Sequence, residues 1–214
     1  MKNRKWLKKY TETRFVRDIL KHKQLHLGDP TKWDDKNDCE ALRIYSEGKN
    51  LKFPTLAICL TQAPDRFHFW HIFGKREFGV CLWFCKKTLT ADIKADSTLF
   101  SNEVRYPNEI DLDKTKLDQA PFTKREQYKD EREFRVIRIL RPSGVEPDKL
   151  AFSAASLKKI YLNPWLSSKE VETQKLDLER YLTGDLEHVE VKQNRCLQRK
   201  KWIVRLSDAV KQNS

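Results

Sequence analysis

Strand-like apolar segments outnumber helical ones in this chain and do not alternate with them regularly, which predicts an α+β fold rather than a regularly alternating α/β sheet. Three observations carry that expectation. FGVCLWF at 78–84 is nearly continuous in apolar residues, as a strand covered on both faces requires. TLAICLT at 55–61 and FRVIRIL at 134–140 are compact β-like runs. Helical spacing is confined to a few short segments.

In chain order, residues 6–10 are expected to form a short strand. Thr11 or Thr13 then caps a helix whose stripe is Phe15, Val16, Ile19 and Leu20. Leu25 and Leu27 alternate with polar neighbours, a return to extended chain. Gly28, Asp29 and Pro30 mark a turn, and Asp34 to Asp38 a polar loop before a short helix near Cys39–Tyr45. After Pro54 and TLAICLT, the segment QAPDRFHFWHIFG has rings at Phe67, Trp70 and Phe73, the spacing of a short buried helix that ends near Gly74. Residues 86–127 are polar, with a short strand near Glu103–Tyr106. LAFSAASLKKIYLNPWL reads as strand, turn and a second strand around Ile160–Leu162, followed by a helix over 167–183 with Val171, Leu176, Leu178 and Leu182 as its apolar positions. HVEVKQ and KKWIVRLSD are expected to be two strands of a basic hairpin near 188–207.

The 214 residues suit a single domain. Only 39% are hydrophobic, but six Trp, eleven Phe and six Tyr restore the area a core needs. Lys and Arg number 43 against 31 Asp and Glu, a net charge of +12 that concentrates polyanions such as nucleic acid, nucleotides or acidic proteins. The basic start MKNRKWLKKY has no apolar segment behind it, and no run is long enough to span a bilayer, so a cytoplasmic protein without a membrane partner is expected. Five cysteines without metal-like pairing fit a reducing compartment.

The segment YKDEREFRVIRIL at 128–140 places Glu131 and Glu133 at the mouth of a strand. If extended, Glu131, Glu133 and Arg135 share one face, which Ile137 and Ile139 continue inward, so that this face is wet at one end and buried at the other. Such a boundary suits a carboxylate held firmly yet able to reach a ligand. The same residues also suit an ordinary strand end with local ion pairs.

The order of units resembles a prokaryotic domain-of-unknown-function family (number 2971 in that naming) over nearly the whole chain. The matching features are LKKYT, DILKHKQLHL, the acidic DDKNDCEA, ICLT, the tryptophan helix with GVCLWF, and EREFRVI. More distantly, the succession is similar to the catalytic core of ADP-ribosyltransferases, which implies split antiparallel sheets with a few short helices. It also implies NAD as substrate and a catalytic glutamate at the start of a late strand. On that resemblance Lys9, Tyr10 and Thr11 lie at the dinucleotide-binding first strand, where His or Arg is usual. Thr61 ends the second strand, and Glu133 is the catalytic carboxylate with Glu131 orienting or activating the acceptor. Tyr10, Trp70 and Phe73 are then candidates to line the nicotinamide pocket, although each reads first as a core aromatic.

The resemblance implies transfer of ADP-ribose to a macromolecule, with nucleic acid or an acidic protein as acceptor. By analogy it also fits a toxin or phage-defence effector with an antitoxin or inhibitor as partner. The competing reading is a non-catalytic nucleic-acid-binding module acting through Arg195, Arg199, Lys200 and Lys201. A metal-dependent nuclease using Asp34, Asp35 and Asp38 is a third, and His68 with His71 forms a weaker metal or acid–base candidate. No Gly-rich phosphate loop, GxSxG or HExxH occurs.

Overall fold

The computed structural model describes residues 5–51, 55–74, 78–140, 148–197 and 200–213. Its architecture is α+β. The strands are β1 (Trp6–Glu12), β2 (Gln24–His26), β3 (Thr55–Thr61), β4 (Gly79–Cys85), β5 (Leu99–Glu103), β6 (Glu133–Ile139), β7 (Lys149–Ala151), β8 (Leu157–Leu162) and β9 (Glu190–Gln193). The helices are α1 (Thr13–His22), α2 (Lys36–Gly48), α3 (Phe67–Ile72), α4 (Lys86–Ala95), α5 (Ser168–Glu179) and α6 (Lys200–Gln212). No helix among the described residues is long and apolar enough to cross a membrane.

Seven strands run in the order β5-β6-β3-β1-β4-β8-β9, and all pair antiparallel except β8 with β9. The centre of this sheet is almost severed. β1 pairs with β4 over seven positions and β3 with β6 over seven, whereas β1 meets β3 at the single pair Lys8↔Thr61. Further along β3 its free edge is taken by Gly28, which exchanges two backbone hydrogen bonds with Ala57 (2.8 and 2.9 Å). The sheet is therefore two halves, antiparallel but for β8 with β9, joined at one point, the split arrangement expected.

Period-2 alternation assigns the faces. Leu7, Ile58, Leu60, Val80, Leu82, Phe84, Phe134, Val136, Ile160 and Leu162 face a core shared with α1, α4 and α5. On the opposite face, Tyr10 and Cys81 pack with Phe69 and Trp70 of α3, and Ala57 and Ile137 with Leu42 and Tyr45 of α2.

Several sequence expectations change. On α1, Val16, Ile19 and Leu20 are buried but Phe15 is exposed. On α3 the buried rings are Phe69 and Trp70, while Phe67 and Phe73 are exposed, because a helix this short buries two adjacent positions rather than a long stripe. The polar stretch after residue 85 contains α4, whose signal is the i,i+4 pair Leu89 and Ile93, both buried. On α5, Leu178 is buried and Leu176 exposed.

The C-terminal hairpin is not formed: β9 is present, but KKWIVRLSD lies in α6. Trp202, Val204 and Leu206 alternate, yet Trp202, Leu206 and Val210 also recur at four-residue steps. With no strand beside it to complete a ladder, the segment satisfies its backbone internally as a helix.

Gly79 opens β4 against the turn after α3. A Cβ there would run into the Gly74 carbonyl group, with two Gly74 carbons at 2.9 Å. Gly79→Ala is expected to destabilise the fold by about 1–3 kcal/mol through overpacking, read from the denaturation midpoint.

Candidate active site

The Lys8↔Thr61 pair that joins the sheet halves continues into Thr61↔Glu133 on the next strand. Directly opposed residues point to the same face, so Lys8, Thr61 and Glu133 form one cross-strand row at the split. Neighbouring strands lie about 4.8 Å apart, which puts the row's ends within roughly 10 Å at the backbone.

Glu133 begins β6 with only 4% of its surface exposed. Its carboxylate takes two hydrogen bonds from Arg135, Nε to Oε1 at 2.6 Å and Nη2 to Oε2 at 3.1 Å. Arg135 has no exposed surface. It also donates to Asp38 Oδ2 (3.1 Å) and the Pro121 carbonyl (3.0 Å), and its guanidinium lies 5.1 Å from the Trp33 ring centre. Lys124 is the second cation, at 2.8 Å from Glu131, 3.3 Å from Asp38 and 3.6 Å from Glu133. Three carboxylates thus share two cations inside a protein of net charge +12.

The shared cations divide the acids. Burial opposes the charge of Glu133, but Arg135 and then Lys124 hold its carboxyl below the usual carboxylate value. Burial raises Glu131, and Lys124 only partly offsets it. Burial also works against the Lys124 ammonium, yet Glu133, Asp38 and Glu131 lift it above its ordinary value. Two neighbouring carboxyls pushed in opposite directions are a pattern common at acid–base sites.

Glu131 does not extend the strand. It ends a 3-10 turn (Glu126–Glu131), and Arg132 at φ 45° lies between it and β6. The tight turn still brings Glu131 to the cluster through Lys124, and the Thr61 hydroxyl donates to the Glu131 carbonyl. The face expected to be wet at this end is buried, since α2 and the segment 117–124 cover it with Asp38, Pro121 and Lys124.

The first-strand candidates separate. Lys8, absent from the sequence expectation, lies in the row, donates to the Ala63 carbonyl and sits 4.4 Å from the Trp83 ring centre. Its signal was only the even spacing from Trp6 and Tyr10. Lys9 alternates to the other face along the β1 backbone, yet it reaches the Cys59 carbonyl at 3.4 Å. Burial lowers its pKa, while Glu133 is near enough to favour its charge. Thr11 is further along that face, paired with Val80. Tyr10 and Trp70 are core residues: their rings meet edge to face at 5.2 Å, and both donate to Asp65 Oδ1 (3.4 and 3.2 Å). Trp70 has no exposed surface, so it offers no stacking face here.

A cavity of about 510 Å³ adjoins the start of β6, lined by Arg66, Glu103, Tyr106, Asp130, Arg132 and Glu133 among others. The Glu133 backbone N–H donates to the Tyr106 hydroxyl (2.8 Å), and Arg66 Nε is buried with no partner among the described residues. The other candidates lie elsewhere or are occupied. His68 pairs with Asp130 (3.0 Å), and His71 packs on Trp165. Asp35 caps α2 and Asp38 belongs to the buried network. No three His, Cys, Asp or Glu side chains among the described residues are placed to hold a metal ion. Arg195 is exposed on the turn before α6 and Lys200 and Lys201 begin that helix, while Arg199 lies outside the described residues.

No family model matches the chain, and no curated protein matches it significantly, so the likeness to the prokaryotic family rests on the residues quoted above. Solved chains of DarT from Thermus sp. 2.9 are similar in their course. One in complex with carba-NAD+ shares 10% identity over 91% of this chain and 98% of that one, at a TM-score of 0.47. Another with NAD+ shares 11% over 90% and 96%, and one with ADP-ribosylated ssDNA 11% over 90% and 95%, both also at 0.47.

Removing Arg135 leaves the buried Glu133 charge without its main partner. Arg135→Met should cost about 3–5 kcal/mol at neutral pH, measured by chemical denaturation. Because the folded value of Glu133 is depressed, its contribution in wild type is full above its ordinary value near 4.5 and fades as pH falls through the folded value. In the variant burial instead raises the unpaired carboxyl, so the deficit should begin to narrow above about pH 4.5 as that group takes up its proton, and narrow further below it as the wild-type contribution fades.

Proposed function

We propose that the protein is an ADP-ribosyltransferase that cleaves NAD and passes ADP-ribose to a macromolecular acceptor. The observation that supports it is the row Lys8–Thr61–Glu133 at the split between two half-sheets. Those strands are the ones that the sequence resemblance assigns to the dinucleotide contact, the hydroxyl residue and the catalytic glutamate.

The residues beside the row fit NAD as substrate. The cavity walls combine acids, Glu133, Glu103 and Asp130, with the cations Arg66, Lys129 and Arg132. Cations suit a pyrophosphate, and the orphan Arg66 Nε supplies a buried donor. The dinucleotide contributes a glycosidic bond whose cleavage returns the electron pair to nicotinamide and leaves positive charge on the ribose.

In this reading the chain stabilises that charge with Glu133, kept ionised by Arg135. A carboxylate has about four acceptor sites, and the two Arg135 bonds leave capacity for a ribose hydroxyl. Thr61 fixes the turn that carries Glu131. Glu131, the carboxyl that burial makes more basic, takes the proton from the acceptor as the acceptor bonds to the ribose carbon.

The same burial favours a second reading, in which the ion network only braces the sheet and the protein is a non-catalytic nucleic-acid-binding module. NAD turnover separates the two. Glu133→Gln should lower nicotinamide release by about 100-fold or more while circular dichroism stays native. Glu131→Gln should reduce transfer to the acceptor more than hydrolysis of NAD. Absence of nicotinamide release from wild type with every nucleic-acid and protein acceptor tried would leave the binding module.

A further inference from the structure

A second cavity, of about 660 Å³, lies at the junction of β1, β4 and α4. Its walls include Lys5, Lys86, Lys87 and Lys94 with Cys85 and Thr90, and no acidic residue. The backbone N–H of Lys86 donates to the Lys5 carbonyl (2.9 Å), which fixes two of these lysines relative to each other. Thr90 Oγ1 is buried and has no partner among the described residues. Lys86 forms an ion pair with Glu103, a wall residue of the cavity beside Glu133, so one ion pair connects the two cavities.

Aromatic rings meet this cavity at Lys5, on the far side of the sheet end from α4. Trp6 pairs with Cys85 and Lys8 with Trp83, which places Trp6 and Trp83 on the sheet face that carries Thr61 and Glu133. The two indoles are half-buried, with centres 5.8 Å apart, and Trp83 continues to Tyr161 at 5.0 Å. Lys5 stands over Trp6 at 5.0 Å and Lys8 over Trp83 at 4.4 Å.

From this arrangement we infer that the lysine cavity and the Trp6–Trp83 strip bind a single-stranded nucleic acid and lead it towards Glu133. The inference rests on the transferase reading for its purpose, but not for its chemistry. Lys5, Lys87 and Lys94, which form no ion pair among the described residues, stand beside the Glu103-paired Lys86 and match a run of phosphates better than one small anion, and the rings give unpaired bases a stacking face. A duplex would keep its bases stacked on each other and gain nothing from the strip. The site differs from the basic C-terminal segment, where Lys200 and Lys201 begin an exposed helix.

The test is fluorescence anisotropy of a labelled single-stranded oligonucleotide across a salt series, with the full chain. Lys87→Gln/Lys94→Gln should reduce the slope of log affinity against log salt by about 1.4, roughly 0.7 for each phosphate left without its lysine. Trp6→Ala should weaken the strand roughly 5- to 150-fold and leave inorganic tripolyphosphate binding unchanged. Cys85, half-exposed and lowered in pKa chiefly by the Thr88 backbone N–H, is a reporter: the strand should slow its alkylation, mapped by peptide mass spectrometry. An unchanged slope in the Lys87/Lys94 variant, with the loss appearing in Lys200→Gln/Lys201→Gln instead, would overturn the inference. So would a strand that leaves Cys85 unprotected where tripolyphosphate protects it, which marks a small-anion site. NAD cleavage without acceptor should stay within about twofold of wild type in Lys87→Gln/Lys94→Gln. Loss of NAD cleavage in wild type itself counts against the transferase, while the binding arms still judge the strand site.

Discussion

A guanidinium cannot shed its proton at any physiological pH, so Arg135, wholly enclosed, obliges the surrounding chain to supply acceptors. Glu133, Asp38 and the Pro121 carbonyl supply them, from β6 itself, from α2 and from the segment that crosses over both. Elements distant in sequence are thereby fixed at one point. The arrangement costs desolvation of each charge, which the hydrogen bonds among the partners offset. It also fixes the carboxylate of Glu133 in orientation and charge state.

The second constraint is topological. Two antiparallel half-sheets meet at the single pair Lys8↔Thr61, since Gly28 occupies the next stretch of β3. Strands that diverge from one contact leave backbone groups and side chains facing a gap rather than a neighbouring strand. The residues at that contact are held by the sheet, and Glu133 at the end of the row also lines a cavity.

Charge is organised in opposition. The exterior is basic, while the buried cluster sets three carboxylates against two cations. A basic exterior draws polyanions, and a fixed carboxylate such as Glu133 favours positive charge that develops beside it. In the proposed reaction those are the acceptor and the ribose. The same opposition gives neighbouring Glu131 and Glu133 different affinities for a proton, although their residue type is identical.

By itself the sequence determined the strands with long apolar runs, β3, β4 and β6, because burial on both faces leaves a signal in every residue. It also marked Glu131 and Glu133, since unusual charge at the mouth of an apolar run is visible locally, while Thr61 came from the family resemblance. It did not distinguish strand from helix for KKWIVRLSD, whose pattern serves both periods and whose outcome depended on there being no neighbouring strand. Nor did it bring Lys8 into the row, because facing is set by register between strands some fifty residues apart. It exposed Glu133 where the fold buries it, as the covering residues Asp38, Pro121 and Lys124 come from other parts of the chain. Only the tertiary structure turned two adjacent glutamates into one ionised carboxylate and one more basic carboxyl, because the electrostatic environment of a side chain is made by neighbours that the sequence does not set side by side.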